Sequence, residues 1–400
     1  MSKSPVLLNL NMILIAFSVA IYTLGFTYFS LIIAFYAIII SLNSRFSKDI
    51  FLFLFLCLIP GALIGLWVVL FGKYDSIYDL GILYRIRFFC IRIFFAFAVF
   101  IYLSRLDYTQ VLKFVYYIAF LLAILGLFQV ISNPFDRITM LSSEPSAAGM
   151  YYVFLAPLLL IYYDFNKRAR PIILLYLIIG IFIRSKAQIL VIPFYLFYFV
   201  FKSNNKKLKR TVLFLIIITL LLTPMILKIK ELQDISSFLD VLFNQGIKGL
   251  TEKNKIWSTF TLRFSSILTA IQMFIENPFG SGFGTFHPEY ITKMTSSENI
   301  QSFMTGIEIS KTLNNELYAT PKSIFFEYLV SSGLFFLLPL FYVLFKFHKT
   351  EKSNLIKSSL YGLVLVSMMV ELAPFMVFII VLLVLHKKGK KFNNKITSLI

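Results

Sequence analysis

The chain alternates long apolar runs with short polar connections, and this pattern repeats along almost the whole sequence. A helix needs about 20 residues to cross the hydrocarbon of a bilayer. The pattern therefore predicts an all-α, polytopic bundle of about 12 membrane-spanning helices. The predicted spans are 7–24, 26–42, 50–71, 88–103, 112–131, 148–163, 171–183, 189–201, 211–227, 324–345, 358–371 and 374–386.

The last two predicted spans are separated by Pro374, which follows Glu371 closely. Proline breaks a helix interior because it lacks an N–H and clashes with the preceding turn. We therefore expect a tight hairpin here rather than one long helix. With 12 spans, both termini lie on the same side of the membrane.

One polar connection is much longer than the others and divides the chain into three parts. Residues 1–227 form an N-terminal bundle of about nine spans. Residues 228–323 form a large extracytoplasmic loop, and 324–400 carry the final spans and a basic cytoplasmic tail. A loop of this length is more often a functional subdomain than a linker.

Within this loop, Trp257–Glu276 has the periodicity of an amphipathic helix. Its apolar positions are Phe264, Ile267, Leu268, Ile271, Phe274 and Ile275. We expect this apolar face to pack on the transmembrane bundle or to lie at the membrane interface. Asn277 and Pro278 mark the end of the helix, and a flexible turn with Gly280, Gly282 and Gly284 follows.

Composition and charge support a membrane protein. The chain is 59% hydrophobic and 14% charged, with a net charge of +19 and a mean hydropathy of +0.83. Lysine and arginine cluster in short connections that the predicted topology puts on one side, which the positive-inside rule makes cytoplasmic. The charge therefore reflects topology and contact with anionic lipid headgroups, and nucleic acid is not an expected partner.

Arginines also mark the predicted outer side, where the positive-inside rule does not place them. Arg85 and Arg92, near the start of the fourth span, are seven residues apart and share one helix face. Guanidinium groups grip a diphosphate bidentately. We therefore expect an anionic, lipid-linked ligand whose diphosphate binds Arg263, Arg85, Arg92, Arg137 and Arg184. Interfacial snorkelling, or pairing with Asp75, Asp79 and Asp136, is the alternative for each arginine.

Two further residues are candidate catalytic groups. Glu144 precedes the sixth predicted span, where a partly buried carboxylate acts as a general base or orients a hydroxyl. The alternative is that Ser-Glu-Pro-Ser starts the helix. His287 follows the glycines. A histidine in a loop usually lies at the surface, but this one is the only extracytoplasmic histidine and hence a candidate acid or base. Cysteines and histidines show no metal-ligand spacing.

Three stretches together resemble the O-antigen polymerase and ligase superfamily. RFSSILTAIQMFIENPFGSGFGTF, from Arg263 to Phe286, resembles its signature of an arginine, an amphipathic helix and Asn-Pro followed by Gly-x-Gly. SEPSAAGMY, from Ser143, resembles the Glu-Pro-Ser element of Wzy-type polymerases. EYLVSSGLFFLLPL, from Glu327 to Leu340, resembles the Glu-x-Gly-Leu start of the span after the large loop.

The resemblance implies a GT-C-like glycosyltransferase in the bacterial cytoplasmic membrane that needs neither a metal nor another cofactor. Its substrate would be an oligosaccharide repeat unit linked to undecaprenyl diphosphate, joined into a surface polysaccharide at the outer face. Arginines would hold the diphosphate leaving group, with Arg263 the residue best carried over. A chain-length regulator and a flippase are further partners that the resemblance implies.

The sequence departs from the ligases of this superfamily at one place. Those enzymes tend to carry a His-Asn element about ten residues before the glycine of the post-loop span. Here that count leads from Gly333 to Lys322 and Ser323. This favours a polymerase over a ligase that transfers glycan to another acceptor. A lipid-linked oligosaccharide flippase and a scaffolding membrane protein are the alternatives from other classes.

Overall fold

The computed structural model describes residues 5–21, 27–41, 46–71, 76–132, 139–140, 145–183, 240, 244, 258–296, 320–368, 370 and 375–397. The regular elements in these ranges are all helical, as the all-α prediction requires. They are α1 Pro5–Ile21, α2 Thr27–Ile39, α3 Lys48–Phe71, α4 Ser76–Arg105, α5 Tyr108–Ser132, α6 Pro145–Phe165, α7 Arg170–Phe182, α8 Ser258–Glu276, α9 His287–Ser296, α10 Ile324–Ser332, α11 Leu334–Thr350, α12 Asn354–Ser367 and α13 Phe375–Thr397.

Within this part of the chain, four helical segments are long and apolar enough to cross a membrane. They are Lys48–Phe71, Arg85–Arg105, Tyr108–Ser132 and Ala148–Phe165. Two shorter apolar helices, Val6–Ile21 and Tyr28–Ile39, precede them. These segments are consistent with a membrane protein and coincide with six predicted spans. The predicted spans 189–201 and 211–227 lie outside the described residues.

One predicted span is interrupted in the structure, and one helix extends beyond its predicted span. The run 324–345 is not one helix, because Gly333 separates α10 from α11 with φ 53° and ψ −130°. A continuous apolar run does not reveal such a break, which depends on backbone conformation. In addition, α4 begins at Ser76 rather than near 88. Charged residues lower the hydropathy of 76–87, but they do not prevent helical hydrogen bonding.

The prediction that 358–386 is not one long helix is confirmed, since α12 ends at Ser367 and α13 begins at Phe375. The predicted turn at Glu371 and Pro374 lies outside the described residues. The two helices pack against each other. The basic segment after Leu385 is helical as far as Thr397, because lysine is a good helix former and the segment continues an established helix.

The chain divides into two compact units. The first comprises Met1–Phe55, Cys90–Lys202 and Phe341–Ile400, and the second comprises Leu56–Phe89 and Ser203–Leu340. The three-part organisation predicted from hydropathy stays a prediction.

The first unit is built around α13, whose residues from Phe375 to Leu385 are all buried. A helix that is apolar all round is stable only when other elements surround it. Phe378 stacks on Phe154 of α6 with ring centroids 4.2 Å apart. Ser359 of α12 donates a hydrogen bond to the Phe154 carbonyl at 2.9 Å, and Tyr151 donates to the Val19 carbonyl at 2.9 Å.

The second unit contains the C-terminal part of α3, the N-terminal part of α4, and helices α8, α9 and α10 with the start of α11. Helix α8 packs on both α9 and α10. The irregular segment between α8 and α9, residues 277–286, lies among these helices. We call this segment the glycine loop.

Candidate functional site

The glycine loop is a turn, as predicted, but it is a packed element rather than a surface connection. Gly280, Gly282 and Gly284 have φ of 88°, 83° and 78°. This left-handed region is open to glycine at no steric cost and rarely adopted by other residues. Residues Gly282 to Phe286 are all buried, so the loop contributes to the core of the second unit.

Backbone hydrogen bonds fix the glycine loop to two helices that are distant in sequence. The amide of Ser281 donates to the Val330 carbonyl at 2.8 Å, and the amide of Gly282 donates to the Ser331 carbonyl at 3.0 Å. These carbonyls end α10, where helical partners are lacking. The amide of Phe283 donates to the Gly61 carbonyl of α3 at 2.9 Å. The loop therefore caps one helix and docks on another.

Glycines on α3 make this docking possible. A Cβ atom on Gly65 would lie 2.8 Å from the Phe283 carbonyl oxygen, and one on Gly282 would lie 2.5 Å from the Gly65 nitrogen. On α4, a Cβ on Gly284 would lie 2.8 Å from the Ile86 nitrogen and 3.1 Å from the Arg85 Cβ. The main chains of loop and helices are thus in direct contact, at distances that leave no room for side chains.

Aromatic rings fill the interior beside the loop. Phe283 stacks on Phe89 of α4 with centroids 4.4 Å apart and meets Tyr328 of α10 edge-on at 5.6 Å. Tyr328 in turn stacks on Phe336 of α11 at 5.4 Å. These contacts hold the loop and both sides of the α10–α11 break in one core.

Glu289 in the first turn of α9 accepts hydrogen bonds from two residues of the glycine loop. One carboxylate oxygen accepts from the Asn277 amide at 2.6 Å and the other from the Ser281 hydroxyl at 2.8 Å. Glu289 is not among the residues predicted from the sequence. The available signal was Pro288 followed by an acidic residue, which is typical of a helix start.

Two of the predicted diphosphate ligands lie in this unit. Arg85 is half-buried on α4 beside Gly284. Arg263 is half-buried on α8, 14 residues before Asn277, where the glycine loop begins. Arg87, two residues after Arg85, is exposed. The unit therefore contains two half-buried guanidinium groups, and a guanidinium is the side chain best suited to bidentate binding of an anion.

His287 also belongs to this unit, and the expectation of a surface position is wrong. Its side chain is 5% exposed, and its ring stacks on Phe286 at 4.5 Å. The physical reason is that His287 begins α9, which packs on α8 and carries the ring inward. Near it, the Tyr290 hydroxyl donates to the Thr320 carbonyl at 3.2 Å.

The remaining predicted site residues are not brought to the glycine loop by the described structure. Arg92 lies on α4, half-buried, in the part assigned to the first unit. Glu144, Arg137 and Arg184 lie outside the described residues. Helix α6 begins at Pro145, so the Ser-Glu-Pro-Ser segment does lead into a helix start, with proline at the first helical position.

The charged groups around α8 and α9 also include an ion pair between Glu276 and Lys293. The hydrogen bond from Lys293, with a second from Gln272, lowers the pKa of the Glu276 carboxyl. Among the residues that the structure describes, no three histidine, cysteine, aspartate or glutamate side chains form a metal-binding group.

Comparison of the chain with family models, with curated proteins and with solved structures finds no match.

Proposed function

We propose that this chain is a membrane glycosyltransferase that polymerises lipid-linked oligosaccharide repeat units. One observation carries the proposal. Two of the three stretches that resemble the O-antigen polymerase and ligase superfamily, Arg263–Phe286 and Glu327–Leu340, contact each other through backbone hydrogen bonds at the glycine loop. Residues that are distant in sequence and resemble one family thus meet at one place, as parts of a shared site would.

The electrostatics of the second unit support an anionic substrate. Arg85 and Arg263 are each half-buried, and a guanidinium in a partly desolvated position binds a diphosphate more strongly than one in water. We assign these two arginines to the undecaprenyl diphosphate of the donor. Arg92, Arg137 and Arg184 are the further proposed ligands.

In the proposed reaction, the donor glycan is transferred to a hydroxyl of a second lipid-linked repeat unit. The bond between the donor sugar's anomeric carbon and the diphosphate oxygen breaks, and that oxygen keeps the electron pair. A bond from the acceptor oxygen to the anomeric carbon forms, and the acceptor proton passes to a base. Glu144 and His287 are the candidates for this base. The arginines stabilise the undecaprenyl diphosphate that leaves.

The proposal includes an architecture and a location. It places a GT-C-like bundle of about 12 spans in a bacterial cytoplasmic membrane, with both termini cytoplasmic and residues 228–323 on the outer side. The product is a surface polysaccharide, and a chain-length regulator and a flippase are the proposed protein partners.

The test is deletion of the gene in its host, followed by gel analysis of surface glycan. The deletion strain is complemented with the wild type, with Arg263→Ala and with Arg168→Ala. Arg168 is exposed beside α7 on the predicted cytoplasmic side, so it serves as a matched control. We expect the wild type and Arg168→Ala to restore a ladder of chain lengths, and Arg263→Ala at equal protein level to leave a single repeat unit.

Other outcomes would replace the proposal. Long polymer that accumulates on its lipid carrier indicates a ligase. Repeat units that accumulate on the cytoplasmic side indicate a flippase. A flippase is the second candidate because α10 and α11 form a helix broken at Gly333, and discontinuous helices are common in transporters.

A further inference from the structure

We propose that α8 and the glycine loop are embedded in one leaflet of the bilayer, with Ile271, Ile275 and Phe279 against lipid acyl chains. The first evidence is the burial pattern of these residues. They are 38%, 70% and 60% exposed, although a large apolar side chain in water gains about 1.5–3 kcal/mol on burial. Of the two alternatives that the sequence left open, packing on the bundle or lying at the membrane interface, this exposure favours the membrane for the C-terminal part of the face.

The face of α8 that does pack inward combines Leu262 and Met273 with small and hydroxyl-bearing residues. Ser265, Ser266 and Thr269 are fully buried, each donating its hydroxyl to a carbonyl of the preceding turn at 2.6–2.9 Å. Small residues inside and large aliphatic residues outside are typical of helices that pack in a membrane.

Helix α9 has the opposite pattern and packs on α8. Its apolar residues Tyr290 and Met294 are buried, while Thr292 and Ser296 are exposed. Two neighbouring helices of one unit thus present different chemistry to their surroundings. We infer that α9 faces water and that α8 faces hydrocarbon.

Helix α3 of the same unit shows the pattern of α8. Gly61 and Gly65 face the glycine loop, whereas Leu66 and Trp67 are 50% and 65% exposed. Residues Lys48–Phe71 are one of the segments long enough to cross a membrane. The exposed apolar strip formed by Ile271, Ile275 and Phe279 also continues onto α11, since the rings of Phe279 and Phe335 have centroids 5.8 Å apart.

The contact of the glycine loop with α3 indicates how deep in the bilayer the loop lies. Gly61 is 13 residues beyond Lys48, which is about 20 Å along a helix. If α3 crosses a hydrocarbon layer about 30 Å thick, the bond between the Phe283 amide and the Gly61 carbonyl lies inside that layer. On the predicted orientation this is the outer leaflet.

Irregular backbone at that depth is tolerated only when its polar groups bond to protein. The loop satisfies this condition at the amides of Gly280, Ser281, Gly282 and Phe283, which donate to carbonyls at 2.8–3.0 Å. Beside the exposed apolar residues of α8, Glu276 forms an ion pair with Lys293. We place this pair at the headgroup level, where a lysine reaches water by extending its long side chain.

The experiment uses the full chain with a nitroxide spin label, reconstituted in phosphatidylcholine vesicles. Cys57 is buried, so only Cys90 is replaced, by serine. Cysteines for labelling are introduced one at a time at Ile275, Leu66 and Thr292, and at Phe279 should Ile275→Cys fail to fold. Power saturation measures access of each label to oxygen, which partitions into lipid, and to a water-soluble nickel chelate.

We expect the oxygen-to-nickel ratio at Ile275 to match that at Leu66 and to be several-fold higher than at Thr292. Preferential access of nickel at Ile275 would overturn the proposal, because the strip would then face water. A label at Ile275 that neither reagent reaches would also overturn it, because protein would then cover the strip. Neither result depends on the enzymatic activity proposed above.

Discussion

Each of the two units is stabilised internally by a different kind of packing. In the first unit, large side chains fill the space between regular helices, as where Phe378 lies against Phe154 and Tyr151. In the second, aromatic packing is joined by main-chain contacts at glycines and by hydrogen bonds from irregular backbone. We therefore expect the first unit to be destabilised mainly by removing side-chain atoms and the second mainly by adding them.

The largest expected effect is in the first unit. Phe378→Ala removes a fully buried ring whose centroid lies 4.2 Å from that of Phe154. We expect a loss of about 3–5 kcal/mol in the free energy of unfolding, because a cavity remains. Denaturant titration in detergent micelles measures it. Phe341→Ala, at a position 56% exposed, is the control, and an equal loss there would contradict the comparison.

The next effect is in the second unit and comes from adding one methyl group. Gly333 has φ 53°, and a Cβ there would lie 2.6 Å from the Phe279 carbonyl carbon and closer still to the Pro278 oxygen. We expect Gly333→Ala to cost about 1–3 kcal/mol from backbone strain and overpacking, measured by the same titration.

Gly389 in α13 provides the matched control for that substitution. A Cβ at Gly389 would lie 3.3 Å from Tyr108 Cε2, and alanine is favoured over glycine in a helix interior by up to about 1 kcal/mol. Gly389→Ala should therefore be neutral or mildly stabilising. If Gly333→Ala and Gly389→Ala changed the free energy of unfolding equally, the second unit would not be more sensitive than the first to added atoms.

A smaller effect is expected at the carboxylate that joins the glycine loop to α9. Glu289→Gln weakens two charge-assisted hydrogen bonds, from Asn277 and from Ser281. We expect a loss of about 1 kcal/mol, which is below the range of about 1.5–3 kcal/mol for hydrogen bonds to charged groups because the side chain is half-exposed. Unfolding of Glu289→Gln is compared with that of Ser296→Ala, an exposed position on the same helix.

The smallest effect is a pH dependence at Glu276. Its hydrogen bond from Lys293 holds the pKa of the carboxyl below its usual range. The stabilisation is therefore fully present above the unfolded pKa of about 4.3 and is lost as the pH falls through the folded pKa. The unfolding midpoints of wild type and Glu276→Gln should differ at neutral pH and converge on acidification. A gap that widens towards acid pH would contradict this sign.

Hydropathy predicted the first unit better than the second for a physical reason. Helices such as α5 and α6 are continuous apolar runs, and their bounds follow from that property alone. The break at Gly333 and the docking of the loop at Gly61 depend on backbone conformation and on partners far away in sequence, which an apolar run does not encode. The amphipathic pattern of α8 predicted its bounds well, but periodicity alone does not say which medium its apolar face meets.

The residues of the candidate site were also predicted only in part from the sequence. The arginines were found because their charges oppose the topological rule, and Arg85 and Arg263 do lie in the second unit. Glu289 was missed because a single acidic residue in a short polar helix has no distinguishing pattern. The burial of His287 follows from the packing of α9 on α8, which is a tertiary property.

The bonds of the glycine loop have a consequence for the order in which the chain is made. Ser281 and Gly282 leave the ribosome 49 residues before Val330 and Ser331, the residues whose carbonyls they bind. At about 5–20 residues per second, that interval is roughly 2–10 s. Gly61, the partner of Phe283, already exists by then. The partner of the loop on α3 is therefore present when the loop is made, whereas the hydrogen bonds to α10 form only once the last fifth of the protein is being made.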